Sequence, residues 1–430
     1  MTCNLLCKKI KSLLTNPKTQ NAVMVLGDQA VYSGSSFLTG VIVGRALSIE
    51  AFGEFSLGIS LMIFSLILQD TLLATPYTYH IHNTPSENRG GLRAGAIIQS
   101  LLLAGVSALL LAAAAPIAAS GPENTGLHTV LLALGCALPF LFVRECFRRQ
   151  FFAEFNIINA LKMDIFVSAL MFALLAGFWW TGTLSPALAF GAMALAATIG
   201  GAATLLARRT DYDFKKMNVL KDTKDNILYG RWLLMGSACH LGSLYAYPWL
   251  VYFASGKAEA GAFAACYSLV NLLNPLILGF NNYFRPKIME TRIKEGVAAM
   301  DRLVRRACLL LLPVAGLFVL AMFIGGGLLV RIVYGESFTG LGTVIALVSL
   351  SVVPVFLGAP LQLGTLAMNR PQINPKFHAV SLAITILIGT PLTFTFGNAG
   401  AAAGYALAAT GGSATLLWLY RREVRKNQEI

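Results

Sequence analysis

The sequence predicts an all-α integral membrane protein of about twelve transmembrane helices, arranged as two six-helix lobes related by a parallel repeat. Three observations carry that expectation. The 430 residues are 56% hydrophobic and 12% charged, about half the ~25% charge of a soluble domain. Apolar runs long enough to cross ~30 Å of hydrocarbon recur along the whole chain. Lys and Arg gather in alternate linkers between those runs, which is the signature of a membrane topology.

Each run is bounded by charge, Pro or Gly, and the twelve fall near 22–46, 52–79, 95–119, 127–147, 157–180, 186–207, 227–253, 260–284, 305–332, 341–367, 377–396 and 400–420. A long apolar segment in lipid must satisfy its own backbone, so each reads as a helix. The alternating pattern of an outer-membrane barrel is absent. Thirty of the 33 Lys and Arg lie on the side that holds both termini, and Arg45, Lys257 and Arg331 are the three on the other. The positive-inside rule then places both termini in the cytoplasm of a multi-pass protein of the bacterial inner membrane. The expected divisions are a basic tail over 1–21, a first lobe over 22–207, a cytoplasmic linker over 208–226, a second lobe over 227–420 and a basic tail over 421–430. The Lys8 to Lys11 cluster precedes polar residues rather than a short apolar core, so no cleavable signal is expected and the first span reads as an uncleaved anchor. The longest outer loop, around Ala119 to Leu127, is about nine residues, too short for an external domain.

The formal net charge of +13 is spread through the linkers and forms no single basic face, which argues against nucleic acid as a partner. The seven cysteines form no CxxC pair and read as small apolar residues. No phosphate-binding loop, metal-ligand cluster or nucleophile elbow is present. The expectation is therefore a non-enzyme without metal or cofactor, driven, if at all, by a proton or sodium gradient or by the gradient of its substrate.

The halves echo each other. Ser48 to Phe55, SIEAFGEF, opens the second span, and Gly256 to Phe263, GKAEAGAF, opens the eighth. The Gly-x-Phe of each matches at an offset of 208, Ser60-Leu61 and Ser268-Leu269 keep the register, and Pro76 and Pro286 follow at nearly the same offset. Six spans per half is an even number, so the repeat is parallel, about an axis along the membrane normal.

The segment Val43 to Phe55, VGRALSIEAFGEF, resembles the start of polysaccharide transporters of the multidrug/oligosaccharidyl-lipid/polysaccharide superfamily, in particular the Wzx-type O-antigen flippases. In that family an Arg near the end of the first span is followed by a small acidic loop and a Gly-x-Phe opening the second. Over the remaining chain the resemblance is one of layout. It implies export of an undecaprenyl-diphosphate-linked oligosaccharide to the periplasmic leaflet for surface polysaccharide assembly, such as O-antigen, lipopolysaccharide or exopolysaccharide. The implied partners are that lipid-linked glycan, membrane lipids and other membrane proteins of polysaccharide assembly.

A charge inside the bilayer costs at least a few kcal/mol and marks a functional or pairing role. Asp28 is expected roughly 9 Å from the cytoplasmic end of span one, with Asp70 of the returning span at about that depth. Both read as lumen acids or as helix–helix partners, and Asp28 also as a proton site. Arg45, at the outer end of span one, reads as a phosphate contact or as a snorkelling partner of Glu50. Arg144 and Arg148 share a face of span four beside Glu145 and Arg149. They read as a diphosphate site or as lipid-interface charges, the latter favoured for Arg148 and Arg149. His240 reads as the only deeply placed histidine, either a proton carrier or an interhelical hydrogen-bond partner. Asn271 and Asn274 share a face of span eight, before a Pro275 that can break the helix toward a cavity. Tyr245, Tyr247 and Trp249 read as an interfacial belt. The glycines at 400–404 and 191–201 read as close-packing positions.

Two readings compete with the flippase. A cation-coupled multidrug exporter has the same layout but would favour aromatic cations over anionic headgroups. A membrane glycan polymerase or ligase would need a sizeable reactive outer loop, and the outer loops here are short.

Overall fold

The computed structural model describes residues 17–120 and 126–428. The basic tail as far as residue 16, with Cys3 and Cys7, and loop residues 121–125 fall outside them. Among the described residues helix is the regular structure throughout. The first half holds α1 (Pro17–Ala46), α2 (Ile49–Gln69), α3 (Thr75–Asn83), α4 (Arg89–Ala119), α5 (Leu127–Ala153), α6 (Ile157–Trp180) and α7 (Pro186–Ala207). The second holds α8 (Val219–Ser255), α9 (Lys257–Asn271), α10 (Asn274–Tyr334), α11 (Gly342–Ser349), α12 (Val352–Ala367), α13 (Ile373–Ile384) and α14 (Thr390–Gln428).

Local sequence explains where the helices begin and break. Ser48 caps α2, its hydroxyl accepting the Ala51 N–H at 3.3 Å, and Ser185 caps α7 ahead of Pro186 in the same way. One π turn, Asp70–Ala74, joins α2 to α3 into a single crossing, and a second, Thr385–Gly389, joins α13 to α14. Two glycines divide long helices that would otherwise run on. Gly296 (φ 85°) splits α10 and Gly397 (φ 56°) splits α14, both in the left-handed region that favours glycine. Pro275 sits in the first turn of α10, and span eight is interrupted between Asn271 and Asn274 as its sequence suggests.

Eight helical stretches among the described residues are long and apolar enough to cross a membrane. Two of them, Lys257–Tyr334 and Ile373–Asn427, contain the glycine breaks and hold two crossings each. With the more polar α1 and α8 the described residues make the twelve crossings expected. This is a multi-pass helical membrane protein. Leu102, Leu109, Leu110 and Ile117 of α4 are more than half exposed, as are Leu309, Leu317, Ile324 and Leu328 of α10. Such apolar faces are covered by lipid.

Helices extend further into the charged linkers than the hydrophobic runs do. α8 starts at Val219, within the 208–226 linker, with Asn218 accepting the Lys221 N–H. α14 continues through the 421–430 tail as far as Gln428. Charge ends a membrane span because of its desolvation cost, but it does not end a helix once water can reach the side chains.

Helices of each half pack chiefly on one another, and the halves meet along seams. At the end away from the basic linkers α2 lies against α9. A Cβ on Gly53 would overlap the Lys257 carbonyl, and one on Gly261 would overlap the Ile49 carbonyl and lie 2.9 Å from the Gly53 nitrogen. Around that contact Lys257 faces Glu54 at 3.5 Å, and the Phe52 ring packs on Tyr334 and Phe338 at 5.4 and 5.6 Å. Nearer the basic side, Asn226 of α8 donates to Gln99 of α4 at 3.0 Å.

Three expectations are corrected here. Arg45 does not pair with Glu50 among the described residues. It donates to the Val333 carbonyl at 2.7 Å and to that of Ile332, two of the free carbonyls at the end of α10. Tyr247 is fully buried and does not belong to an interfacial belt; its hydroxyl donates to Thr385 at 3.3 Å. Trp249 donates across the seam to Ser60 at 2.8 Å. The glycine expectation holds for Gly400, Gly404 and Gly200, where a Cβ would meet Leu392, Gly389 and Val167 respectively, but Gly191 has open space.

Candidate functional site

Span four brings three arginines toward the interior. Residues four apart share a helix face, so Arg144 and Arg148 point one way, with Arg149 at the margin and Glu145 between. Arg148 donates through Nε to Asp164 at 2.7 Å and through Nη2 to Asp28, and all three side chains are at most 4% exposed. Arg144 donates to the other Asp164 oxygen. Arg149 bonds Glu145 at 2.9 Å and reaches Asp70 at 3.2 Å. The Tyr32 ring lies 4.4 Å from the Arg148 guanidinium carbon and 5.6 Å from that of Arg144.

The network spans four helices, α1, α2 with its π turn, α5 and α6. It brings Asp28 and Asp70, read from the sequence as acids at one depth, together with Arg144, which the sequence treated separately as a diphosphate candidate. It also corrects the lipid-interface reading of Arg148 and Arg149. Arg148 is sealed inside the bundle, and Arg149, 41% exposed, forms the open rim of the network with Asp70, 34% exposed. The two acids do not touch; arginines separate them. Asp164 was missed by sequence reasoning, although an Asp two residues after Lys162 at the mouth of an apolar run was the available signal.

Four carboxylates, Asp28, Asp70, Glu145 and Asp164, face three guanidinium groups. The cluster is one positive charge short, and Asp28 Oδ1 and Glu145 Oε2 are buried without a hydrogen-bond partner among the described residues. Chemically the arrangement presents a partly exposed Arg149–Asp70 ion pair above buried guanidinium groups and a buried excess of negative charge.

A second network closes the basic side of this half. Glu154, just past α5, accepts Arg93 of α4 at 2.8 Å, Arg208 at 2.8 Å and the Tyr77 hydroxyl at 3.0 Å. Burial raises the Glu154 carboxyl, but the hydrogen bond from Arg93 and the charge of Arg208 outweigh it and hold the group below its ordinary range.

The second half contains a different kind of interior. His240 does not stand alone: His378 of α13 stands against it, Nδ1 to Nδ1 at 3.2 Å. The pair lines a cleft of about 110 Å³ between α8, α12, α13 and α14. Asn274 donates to Asn271 at 3.4 Å, and Asn271 is bonded to Tyr267. The two asparagines thus join the tyrosine group beside this cleft rather than the arginine network.

The family model for polysaccharide biosynthesis proteins matches residues 19–291, which include the whole arginine network. The chain belongs to that family. A search among curated proteins returns no match. Among solved structures, the polysaccharide biosynthesis chain is similar to an inward-facing multidrug-resistance MATE transporter of the MOP superfamily. Identity is 13% over 93% of this chain and 96% of that one, with a TM-score of 0.74. An outward-facing structure of such a transporter aligns at 0.64, with 12% identity over 97% of this chain and 98% of the other. A MOP-superfamily transporter from Pyrococcus furiosus also aligns at 0.64, with 13% identity over 97% and 98% of the two chains. These likenesses establish the fold: a polysaccharide biosynthesis protein built like a MOP-superfamily transporter.

Proposed function

We propose that this protein is a flippase that moves a polyprenyl-diphosphate-linked oligosaccharide from the cytoplasmic to the periplasmic leaflet by alternating access. The observation that carries the reading is the arginine network inside the first half of a polysaccharide-family chain with a transporter fold. A guanidinium fork matches phosphate geometry. Arg149, held by Glu145 and Asp70 yet partly exposed, is the donor an arriving diphosphate reaches first, with Arg144 behind it.

The physical task is to carry a hydroxyl-rich headgroup through about 30 Å of hydrocarbon, where each unpaired hydroxyl costs about 2–7 kcal/mol. A polar path between two halves lowers that cost while the polyprenyl tail stays in lipid. The α2–α9 contact shuts one end in this conformation, and rocking of the halves about such a seam would open it. Energy coupling is assigned to Asp28: the cluster lacks one positive charge, and a proton or sodium ion at the unpartnered Asp28 oxygen would balance it. Both termini lie in the cytoplasm on this reading, as the charge bias indicates.

The competing reading is a multidrug exporter, favoured by the names of the structural relatives. What supports the flippase over it is the polysaccharide biosynthesis family to which the chain belongs. The deciding experiment uses proteoliposomes holding the full chain alone and a fluorescent polyprenyl-diphosphate glycan. Movement between leaflets in these vesicles, lost in Arg149→Gln, supports the flippase. No movement of the lipid together with uptake of an aromatic cation would replace it with the exporter.

A further inference from the structure

The cleft around His240 and His378 plays no part in binding a diphosphate, and its chemistry is the opposite of that of the arginine network. We infer that it is a subsite for an uncharged hexose or N-acetylhexosamine ring of the transported glycan. The inference rests on the flippase reading and divides the substrate between the halves of the protein, the diphosphate at the arginines of the first and the sugar in the second.

The lining contains no Lys, Arg, Asp or Glu. A drug cation or a phosphate would find no counter-charge there. Instead His240, His378, Gln362, Ser243, Ser381 and Tyr405 present neutral donors and acceptors, beside the flat apolar face of Phe377. A sugar ring has that same duality, hydroxyls at its edge and C–H groups on its faces. Few polar groups placed among apolar walls is the general form of a small-molecule site.

The hydrogen-bond inventory leaves capacity for a ligand. The Gln362 side-chain amide makes no hydrogen bond to a described residue, although it lines the cleft. Ser243 and Ser381 donate to carbonyls of their own helices, which leaves both oxygens free to accept. In the neutral histidine pair one Nδ1–H must donate to the other ring's Nδ1. That fixes opposite tautomers, so one Nε2 is an acceptor and the other an N–H donor. A pair of vicinal hydroxyls needs both.

One wall of the cleft continues into a group of tyrosines: the Tyr405 ring meets Tyr267 at 5.5 Å, and Tyr267 meets Tyr245 at 6.5 Å.

The test measures equilibrium binding to the full chain in nanodiscs, using undecaprenyl diphosphate and the same lipid carrying one N-acetylglucosamine or one glucose. The proteins are wild type, Gln362→Leu, His378→Phe and Arg149→Gln, each checked for native thermal unfolding. At least one sugar should tighten wild-type binding about tenfold, the scale of two neutral hydrogen bonds. That gain should disappear in Gln362→Leu and shrink in His378→Phe, with the affinity for undecaprenyl diphosphate unchanged. Arg149→Gln should weaken all three lipids alike. If the wild type binds none of them, the flippase reading falls and the subsite with it. If undecaprenyl diphosphate binds but neither sugar adds affinity, or the gain survives both cleft variants, the subsite is overturned and the flippase reading stands.

Discussion

Gly53 and Gly261 stand at matching positions of the two halves, 208 residues apart, and pack against each other backbone to backbone. The repeat thus brings its own equivalent residues into contact, as expected for elements flanking a two-fold axis. The absence of a side chain at both positions is what lets α2 and α9 close at that end of the molecule.

Gly53→Val is accordingly expected to hold that end open. A side chain there has only backbone to displace, the Lys257 carbonyl and the Gly261 nitrogen. Transport should fall to background while the protein still inserts in the membrane. Cys266, fully buried two helical turns or less from the seam, should become reactive to an impermeant maleimide, as read by mass spectrometry of the labelled peptide. Continued shielding of Cys266 together with normal transport would show that the seam does not gate.

Arg148→Met removes a guanidinium that serves two buried carboxylates, Asp28 and Asp164. Stranding buried charge in this way costs roughly 3–5 kcal/mol, so a marked drop in unfolding temperature in detergent is expected. Adding Asp28→Asn should recover part of the loss, because it removes one of the stranded charges. A double variant less stable than the single would contradict the pairing.

Arg149→Gln is expected to behave differently. Arg149 and Asp70 are both partly exposed, and pairs of that kind contribute about 0–1 kcal/mol. The Arg149 bond to the buried Glu145 is lost as well, but Glu145 keeps ion pairs to Arg144 and Arg148 at 3.5 Å. Thermal stability should therefore fall less than in Arg148→Met, while binding of undecaprenyl diphosphate should weaken about tenfold, one charge-assisted hydrogen bond. Isothermal binding alongside thermal unfolding separates the two effects.

The Glu154 network makes stability depend on pH on the basic side. Its carboxyl is held below the ordinary value by Arg93 and Arg208 despite burial, so the folded state binds its proton less readily than the unfolded chain does. The stabilisation is complete above the unfolded pKa of about 4.3 and is lost as pH falls through the lower folded value. Wild type should lose more unfolding temperature than Glu154→Gln between pH 6 and the acid limit of about pH 3. Parallel curves for the two proteins would place the acid sensitivity elsewhere.

Much of this was legible in the chain. Span number follows from hydropathy because the cost of burying charge in lipid is large and local. The interruption of span eight at Pro275 and the close packing at Gly400 and Gly404 follow from rules about single residues. The similar depth expected of Asp28 and Asp70 comes from counting residues along a helix, but their joining to Arg144 through the other arginines does not. Asp164 and His378 were not legible, because each sits in a span whose neighbours give no hint of which helix it will face.

The sequence by itself determined the crossings, the repeat, the charge bias and the polypeptide's family resemblance, all of which depend on composition and spacing along one strand of chain. Only the tertiary structure decided that Arg148 is sealed between two aspartates, that Arg45 ends α10 instead of meeting Glu50, and that His240 pairs with His378 in an uncharged cleft. These are choices of partner. A helix presents several faces at the same depth, and which face meets which helix is decided by packing among all twelve crossings at once.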